Sequence, residues 1–384
     1  MSYRQDILDD LSLTMALVDK NISGLDFSGE DLSNCAFSDV NFSNCNLQGV
    51  NFTSCQIANC DFSGADMTGA NAMSTQWYKP IFKDTKIRDV DFRAVQMSNS
   101  TISDAILDGE KTSTAIFNEI HFENVTITGR IERLIANNSI FDGMIANSVI
   151  LERCIFFNCS MKEIDISNSQ FKEVTFVSSD LSLSNLDGIV IDKALFQEMD
   201  LSERDLSGIR MFGAQMIGCN LSGVNFTDAI LEKCSFIKAN LVNSNFERAV
   251  ASQANFCEAD VSNAVLDKAY LHQTIWNDAT ITDSSFQDCN LESSSFQNAK
   301  LDNVNLNNTN LIYVDFSSAN LSGAQITNAD LYMANLDNIN EEDANWQGSD
   351  RRRARAPDKQ KNEALLWPTS LSGPTIKPKP KIQL

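Results

Sequence analysis

Residues 239–259 read Ala239-Asn240-Leu241-Val242-Asn243-Ser244-Asn245-Phe246-Glu247-Arg248-Ala249-Val250-Ala251-Ser252-Gln253-Ala254-Asn255-Phe256-Cys257-Glu258-Ala259. Leu241, Phe246 and Phe256 stand on a five-residue period, and a small residue sits two places before each of them. A period of five fits neither a helix nor a strand. Working outward, the same series runs backward to Ile131 and forward to Trp346, while an earlier frame runs from Phe27 through Phe52, Phe82 and Met97 to Ile127. The two frames differ by one residue, so the slip lies at 128–130, beside Gly129. A five-residue unit cannot bury its own apolar side chain. Neighbouring units must therefore stack and share a continuous core.

Ala239-Asn240-Leu241-Val242-Asn243 and Ala319-Asn320-Leu321-Ser322-Gly323 resemble the unit of the pentapeptide-repeat family: Ala, then Asp or Asn, then Leu or Phe, then two variable positions. The resemblance covers residues 22–346. It implies an all-β fold, a right-handed quadrilateral β-helix with four units per coil and with the central and small residues both pointing inward. Roughly 325 residues at about 20 per coil give about 16 coils, and at ~4.8 Å per coil a rod on the order of 75–80 Å long.

The ends read differently. Ile7, Leu8, Leu11, Met15 and Val18 have helical spacing, which predicts a short amphipathic cap over residues 1–21. Five of the six prolines lie beyond residue 346, where they suit neither ladders nor helices, so residues 347–384 read as a disordered basic tail outside the coils. That tail carries +6 in a chain of net charge −21, leaving −27 on residues 1–346. Within it, Leu365, Leu366 and Trp367 form a candidate docking motif for a partner or for the acidic body.

Composition narrows the function. A surface this acidic does not select a phosphate backbone, which excludes direct nucleic-acid binding by the rod. No apolar run reaches the roughly 18 residues of a membrane span, and Asp6, Asp9 and Asp10 sit where a secretory signal needs a basic start. A cytoplasmic protein is expected, or one exported without that signal. Nine of ten cysteines (Cys35, Cys45, Cys55, Cys60, Cys154, Cys159, Cys219, Cys234 and Cys289) occupy the inward small position, and only Cys257 does not. They read as space-fillers rather than a disulfide framework or a zinc site. His121 and His272 are outward and coils apart, and no phosphate loop or nucleophile elbow occurs, so neither a catalytic centre, a metal nor a cofactor is expected. Asp and Asn before each central residue are expected to hold local backbone donors.

The remaining signal lies where the surface departs from its own rule. Just after the central residue, where polar residues dominate, stand Phe157, Val177, Ile217 and Ile237, at multiples of twenty and so in one column on one face, with Cys257 next and Gln197 interposed. A second column, just before the central residue, reads Ile150, Val190, Ile230, Val250 and Tyr270, with Gln170 and Arg210 interposed. Aligned apolar residues make a patch for a partner or a homodimer, or else a self-stabilised sheet surface. A basic and aromatic cluster, Trp77, Tyr78, Lys79, Lys83, Lys86, Arg88 and Arg93, interrupts the acidic rod and reads as a recognition site for an acidic or peptide partner, or as a coil distorted by Pro80 at an inward site. Residues 108–114, with Thr112 at an inward place, are expected to project as a loop. The resemblance implies two function classes. One is a non-enzymatic protein-interaction scaffold, as in bacterial effectors or accessories of secretion machines. The other is a DNA mimic that occupies gyrase or topoisomerase IV and confers drug resistance.

Overall fold

The computed structural model of the chain describes residues 3–356. Four bridges twenty residues apart, Ala16 to Ala36, Asn21 to Asn41, Asp26 to Asn46 and Asp31 to Asn51, define four faces of one parallel solenoid. On the first face an eleven-stranded parallel sheet runs from Ala16–Val18 to Gln215–Ile217, and six further bridges carry the same ladder from Gln215 to Asn335. That makes sixteen steps along the rod, as the period requires. Each rung is tied to the next in both directions: the Phe27 amide donates to Asn46 O (2.8 Å), and the Asn46 amide donates to Leu25 O (3.0 Å).

The inward pair of each unit makes the core. Central residues from Phe27 to Leu331 are buried, apart from the partly buried Leu186, and rings in successive coils stack, as Phe236 on Phe256 (4.9 Å, 12°) and Trp276 on Phe256 (3.9 Å, 1°). Where the small inward residue is polar, its hydroxyl or thiol commonly finds the carbonyl 23 residues back, although Thr75, Ser184 and Thr274 bond the carbonyl three residues back and the buried Ser244 hydroxyl has no partner. Thr85 donates to Phe62 O (2.8 Å), Cys55 to Leu32 O (3.0 Å), Ser284 to Val261 O (2.7 Å) and Cys289 to Leu266 O (2.8 Å). A buried polar group paired in this way avoids the desolvation penalty of an unmade bond. At the corners, the second residue after the centre has φ near +60°, as at Asn34, Asn44 and Asn243, which accounts for the Asn, Asp and Gly found there.

The frame slip shows up as register. The spacing is twenty in Met97 to Phe117 but nineteen in Phe117 to Ala136 and His121 to Ile140. Residues 108–114 do not project. Glu110–Thr112 form a 3-10 turn with Thr112 buried, and Gly109 packs so tightly that an added Cβ would lie 2.6 Å from Thr128 O. The shortened coil is closed by backbone contact at a glycine.

The N-terminal cap helix is present but shorter than expected, and the C-terminal end differs from expectation. The helix α1, Tyr3–Thr14, buries Ile7 and Leu11 with Leu8 packed beside them, and Arg4 lies 5.8 Å over the Phe27 ring. It stops at Thr14, and Ala16–Val18 is already the first rung, so Leu17 turns inward while Met15 and Val18 are exposed. At the other end the stack continues past residue 346. Glu341 takes a place the period makes inward, Arg351 comes two units later, and the two pair at 3.0 Å with the guanidinium 4.8 Å over the Trp346 ring. Arg353 pairs with Asp330 (2.9 Å) and Arg355 with the buried carboxylate of Asp337 (3.0 Å), while the Arg355 amide donates to Ala334 O (2.9 Å). The arginines read as tail thus plug the end of the core. Leu365, Leu366 and Trp367 lie outside the described residues.

Candidate interaction surface

A residue's place in the five-residue unit decides whether it can be seen. On the first face the central residue points in, and its two neighbours in the three-residue strand point out. Phe157 pairs in register with Val177, Val177 with Gln197 and Gln197 with Ile217, and Ile237 follows one rung on. Phe157 is 49% exposed and Ile217 36%, with Val177 and Ile237 half-buried against their neighbours. A further outward column, unnoticed in the sequence, stands beside this one: Ile116, Ile135, Ile155 and Leu195, in register through Thr175. Together they give seven consecutive rungs, from Ile116 to Ile237, each with at least one outward aliphatic or aromatic side chain. The missed signal was plain: isoleucine precedes the central residue in every unit from Ile135 to Ile155.

The column of Ile150, Val190, Ile230, Val250 and Tyr270 lies on the adjacent, fourth face, with Gln170 and Arg210 in its register. Its other outward column is mostly charged, with Phe212 the exposed aromatic in it. Glu132, Glu152 and Lys172 stand in line there, and Arg130 and Arg153 pair with Glu152. A strip one residue wide beside ion pairs is a poorer docking surface than the two-column first face.

The basic and aromatic cluster does not assemble. A seventeen-residue stretch wraps most of a four-sided coil, so its members face different ways. Trp77 is buried at a central position, with its indole N–H donated to Thr75 Oγ1, and so offers no surface. Lys86 pairs with Asp66 (3.0 Å) on the third face, and Arg93 pairs with Asp91 (2.5 Å) after the fourth. Burial would raise the Asp66 carboxyl, but hydrogen bonds from Thr68, Gln48 and Lys86 outweigh it and hold the group well below its ordinary range. Arg88 is exposed, away from Tyr78, whose ring lies under the Lys79 ammonium at 5.2 Å. Only Lys79 and Lys83 share a feature, an open groove of about 820 Å³ with Pro80 and Ile81 on one side and Glu119, His121 and Glu123 on the other. Pro80 is buried at its small position.

The acidic groups serve the backbone. Asp26 accepts from the Ser28 amide (2.8 Å), Asp31 from Ser33 (3.1 Å) and Asp200 from Ser202 (2.9 Å), and Asn220 donates to Asp200 across coils (3.0 Å). Serine hydrogen bonds lower all three carboxyls. Nine cysteines are buried, and burial pushes the Cys55 and Cys234 thiols up to about 12 and those of Cys154 and Cys159 to about 11. Only Cys257 is partly open. Among the described residues no three His, Cys, Asp or Glu side chains are grouped to hold a metal ion, and no helix is long and apolar enough to cross a membrane.

Comparison with known proteins fits this geometry. The pentapeptide-repeat model of eight copies matches residues 21–53, 35–71, 191–228 and 209–248, and the pentapeptide-repeat region model matches 229–305 and 269–346. A search of curated proteins returns no match. Among solved structures, HetL, a pentapeptide repeat protein involved in heterocyst differentiation regulation from the cyanobacterium Nostoc, is 22% identical over 53% of this chain and 88% of its own, with a TM-score of 0.27. QnrB1, a plasmid-mediated fluoroquinolone resistance protein, is 19% identical over 62% of this chain and 96% of its own, with a TM-score of 0.27. A pentapeptide repeat protein from the Arabidopsis thaliana thylakoid lumen is 26% identical over 27% and 71%, with a TM-score of 0.25. With two family models tiling more than half the length in the frame that the ladder registers obey, the chain belongs to the pentapeptide-repeat family.

Proposed function

We propose that the chain is a non-enzymatic interaction scaffold whose docking surface is the first face between Ile116 and Ile237. The observation that carries this is the run of seven consecutive rungs with outward apolar side chains, in a repeat whose same positions are mostly polar elsewhere, with isolated exceptions such as Tyr78 and Ile275. Stacking in the coil does not require them, because Ser98, Asn118, Gln297 and Ser317 hold equivalent places. Covering a few hundred Å² there contributes several kcal/mol at about 25 cal/mol per Å², before the cost of association. A bacterial effector or secretion accessory is one setting for such a scaffold, and neighbouring genes distinguish it: secretion components support it, whereas a resistance cassette favours the topoisomerase reading. The direct test is Ile217→Ser with Ile237→Ser. The double variant should keep its melting temperature and lose a partner in pull-down or drop in sedimenting mass. A variant that keeps every partner and the parent's mass overturns this function.

A further inference from the structure

We propose that the first face is covered by a second copy of this chain, the two rods lying antiparallel about a two-fold axis at Thr175–Val177. The proposal rests on the reading of that face as a docking surface, and names its partner. Across the eleven strands of the sheet and the next four rungs, from Ala16 to Gln297, no outward position of this face carries Asp, Glu, Lys, Arg or His. The other faces have no such stretch. Asp61, Lys83 and Lys162 stand on the second, Asp66 and Lys86 on the third and Glu152 on the fourth. In a chain of net charge −21, a neutral face is the side on which two copies approach without bringing like charges together. An apolar centre within a polar, uncharged margin is also the make-up of an interface.

Three features pick the same axis. It lies between the two faces and across the rods, so each outward column meets itself in reverse. Thr175–Val177 is the ninth of seventeen rungs, so rods turned about it overlap from end to end. It is also the middle of the apolar run from Ile116 to Ile237, so Val177 meets Val177 and Ile155 meets Leu195. The third feature is charge. At the corner after the strand, Lys79 meets Asp278 five rungs from the axis and Glu119 meets Lys238 three rungs from it, each twice by symmetry. The remaining acids of that corner, Asp19, Asp39, Glu198 and Glu258, each meet an Asn or a Ser. At the opposite corner Arg153 meets Lys193 and Glu173 meets itself, so each Glu173 has a cation of the other copy one rung to either side. Arg153 is already held there by Glu132 and Glu152. Beyond the neutral stretch, Asp315 and Asp337 meet Ala36 and Val18. Sixteen steps of ~4.8 Å and a three-residue width of ~10 Å give about 770 Å² per copy, against the ~800 Å² that each side of a stable interface buries.

A charge exchange in the full-length chain, read by sedimentation equilibrium, tests this. Lys79 and Asp278 stand ten rungs apart, about 48 Å, so within one rod neither senses the other. Lys238 and Glu198 hold equivalent corner places, so the rod accepts either charge there, and an unchanged melting curve checks that. The parent should sediment as a dimer. Lys79→Glu and Asp278→Lys should each raise the dissociation constant by about tenfold, because two symmetry-related pairs turn repulsive at once. Lys79→Glu with Asp278→Lys should bring it back to within about threefold of the parent's. Single variants that dimerise like the parent, or a double variant no better than the singles, overturn the proposal. A parent that sediments as one chain overturns it as well, and leaves the docking reading of the face standing on retention of a different protein in pull-down.

Discussion

Trp276 offers a quantitative test of the core. Its ring is fully buried, lies parallel to Phe256 at 3.9 Å and to Phe296 at 5.7 Å, and meets Phe286 edge-on at 5.4 Å. Its N–H donates to Thr274 Oγ1 (2.8 Å), and that hydroxyl donates in turn to Leu271 O (2.8 Å). Trp276→Ala should cost about 5 kcal/mol, the upper end of the large-to-small range, because three ring contacts vanish along with the buried area. Trp276→Phe keeps the stack and loses mainly the N–H bond, about 1 kcal/mol. Thr274→Ala leaves the indole N–H buried without its acceptor, about 1–3 kcal/mol. The double variant Thr274→Ala/Trp276→Phe should then be less destabilised than the sum of the singles by about 1 kcal/mol. Urea unfolding followed by circular dichroism measures the total. Hydrogen exchange at the Ile275 amide, bonded to Ala254 O, measures the local part, because solenoids open coil by coil. A Trp276→Phe protein as stable as the parent, with strictly additive singles, would refute this account of the core.

Gly109→Ala should destabilise by about 1–3 kcal/mol through overpacking, since the new Cβ meets Thr128 O and the Ile131 side chain inside 3 Å; thermal melts decide it. Acid should weaken the rod in a defined window. Asp26, Asp31, Asp200 and Asp205 have folded values held below the ordinary 3.8, so their contribution is complete above that pH and is lost as pH falls through the lowered values. The melting temperature should therefore hold from pH 7 to about 5 and drop below about 4, and Asp31→Asn, which keeps the turn bond without a charge, should blunt the drop. Gyrase supercoiling should be unaffected by a large molar excess of the chain. Inhibition that fades steeply with added salt would instead support the DNA-mimic reading, because exposed charge is screened.

The period of five, the slip at Gly129 and the inward cysteines were legible because burial in a shared core admits few residue types. Helix α1 was legible from Ile7 and Leu11, but its end was not, since Met15 and Val18 continue a helical spacing that the first rung interrupts. Trp77 misled because it was weighed with its basic neighbours rather than with its frame. The pattern Thr75-x-Trp77, repeated as Thr274-x-Trp276, marks it as a core residue with its own acceptor. The arginines at 351–355 read as tail because they lie past the last clear repeat, in the segment that holds five of the six prolines. What they do depends on Asp330, Asp337 and Glu341 arriving at the same end of the rod, which no local reading supplies. On the surface, the Phe157 column could be read because it breaks a polar rule. Its companion, Ile116 to Leu195, stands where β-branched residues are common and drew no notice.

The nineteen-residue coil makes the molecule a splice of two arrays, each with its own phase, around a single core. Within either array a whole coil of twenty residues can be removed or duplicated and every side chain keeps its face, since each rung bonds only to the next. Across the splice the same operation would need nineteen. Rod length is therefore a heritable variable in steps of one rung on either side of Gly129, while the shortened coil itself, with Gly109 pressed against Thr128, is the one turn that neither array can copy.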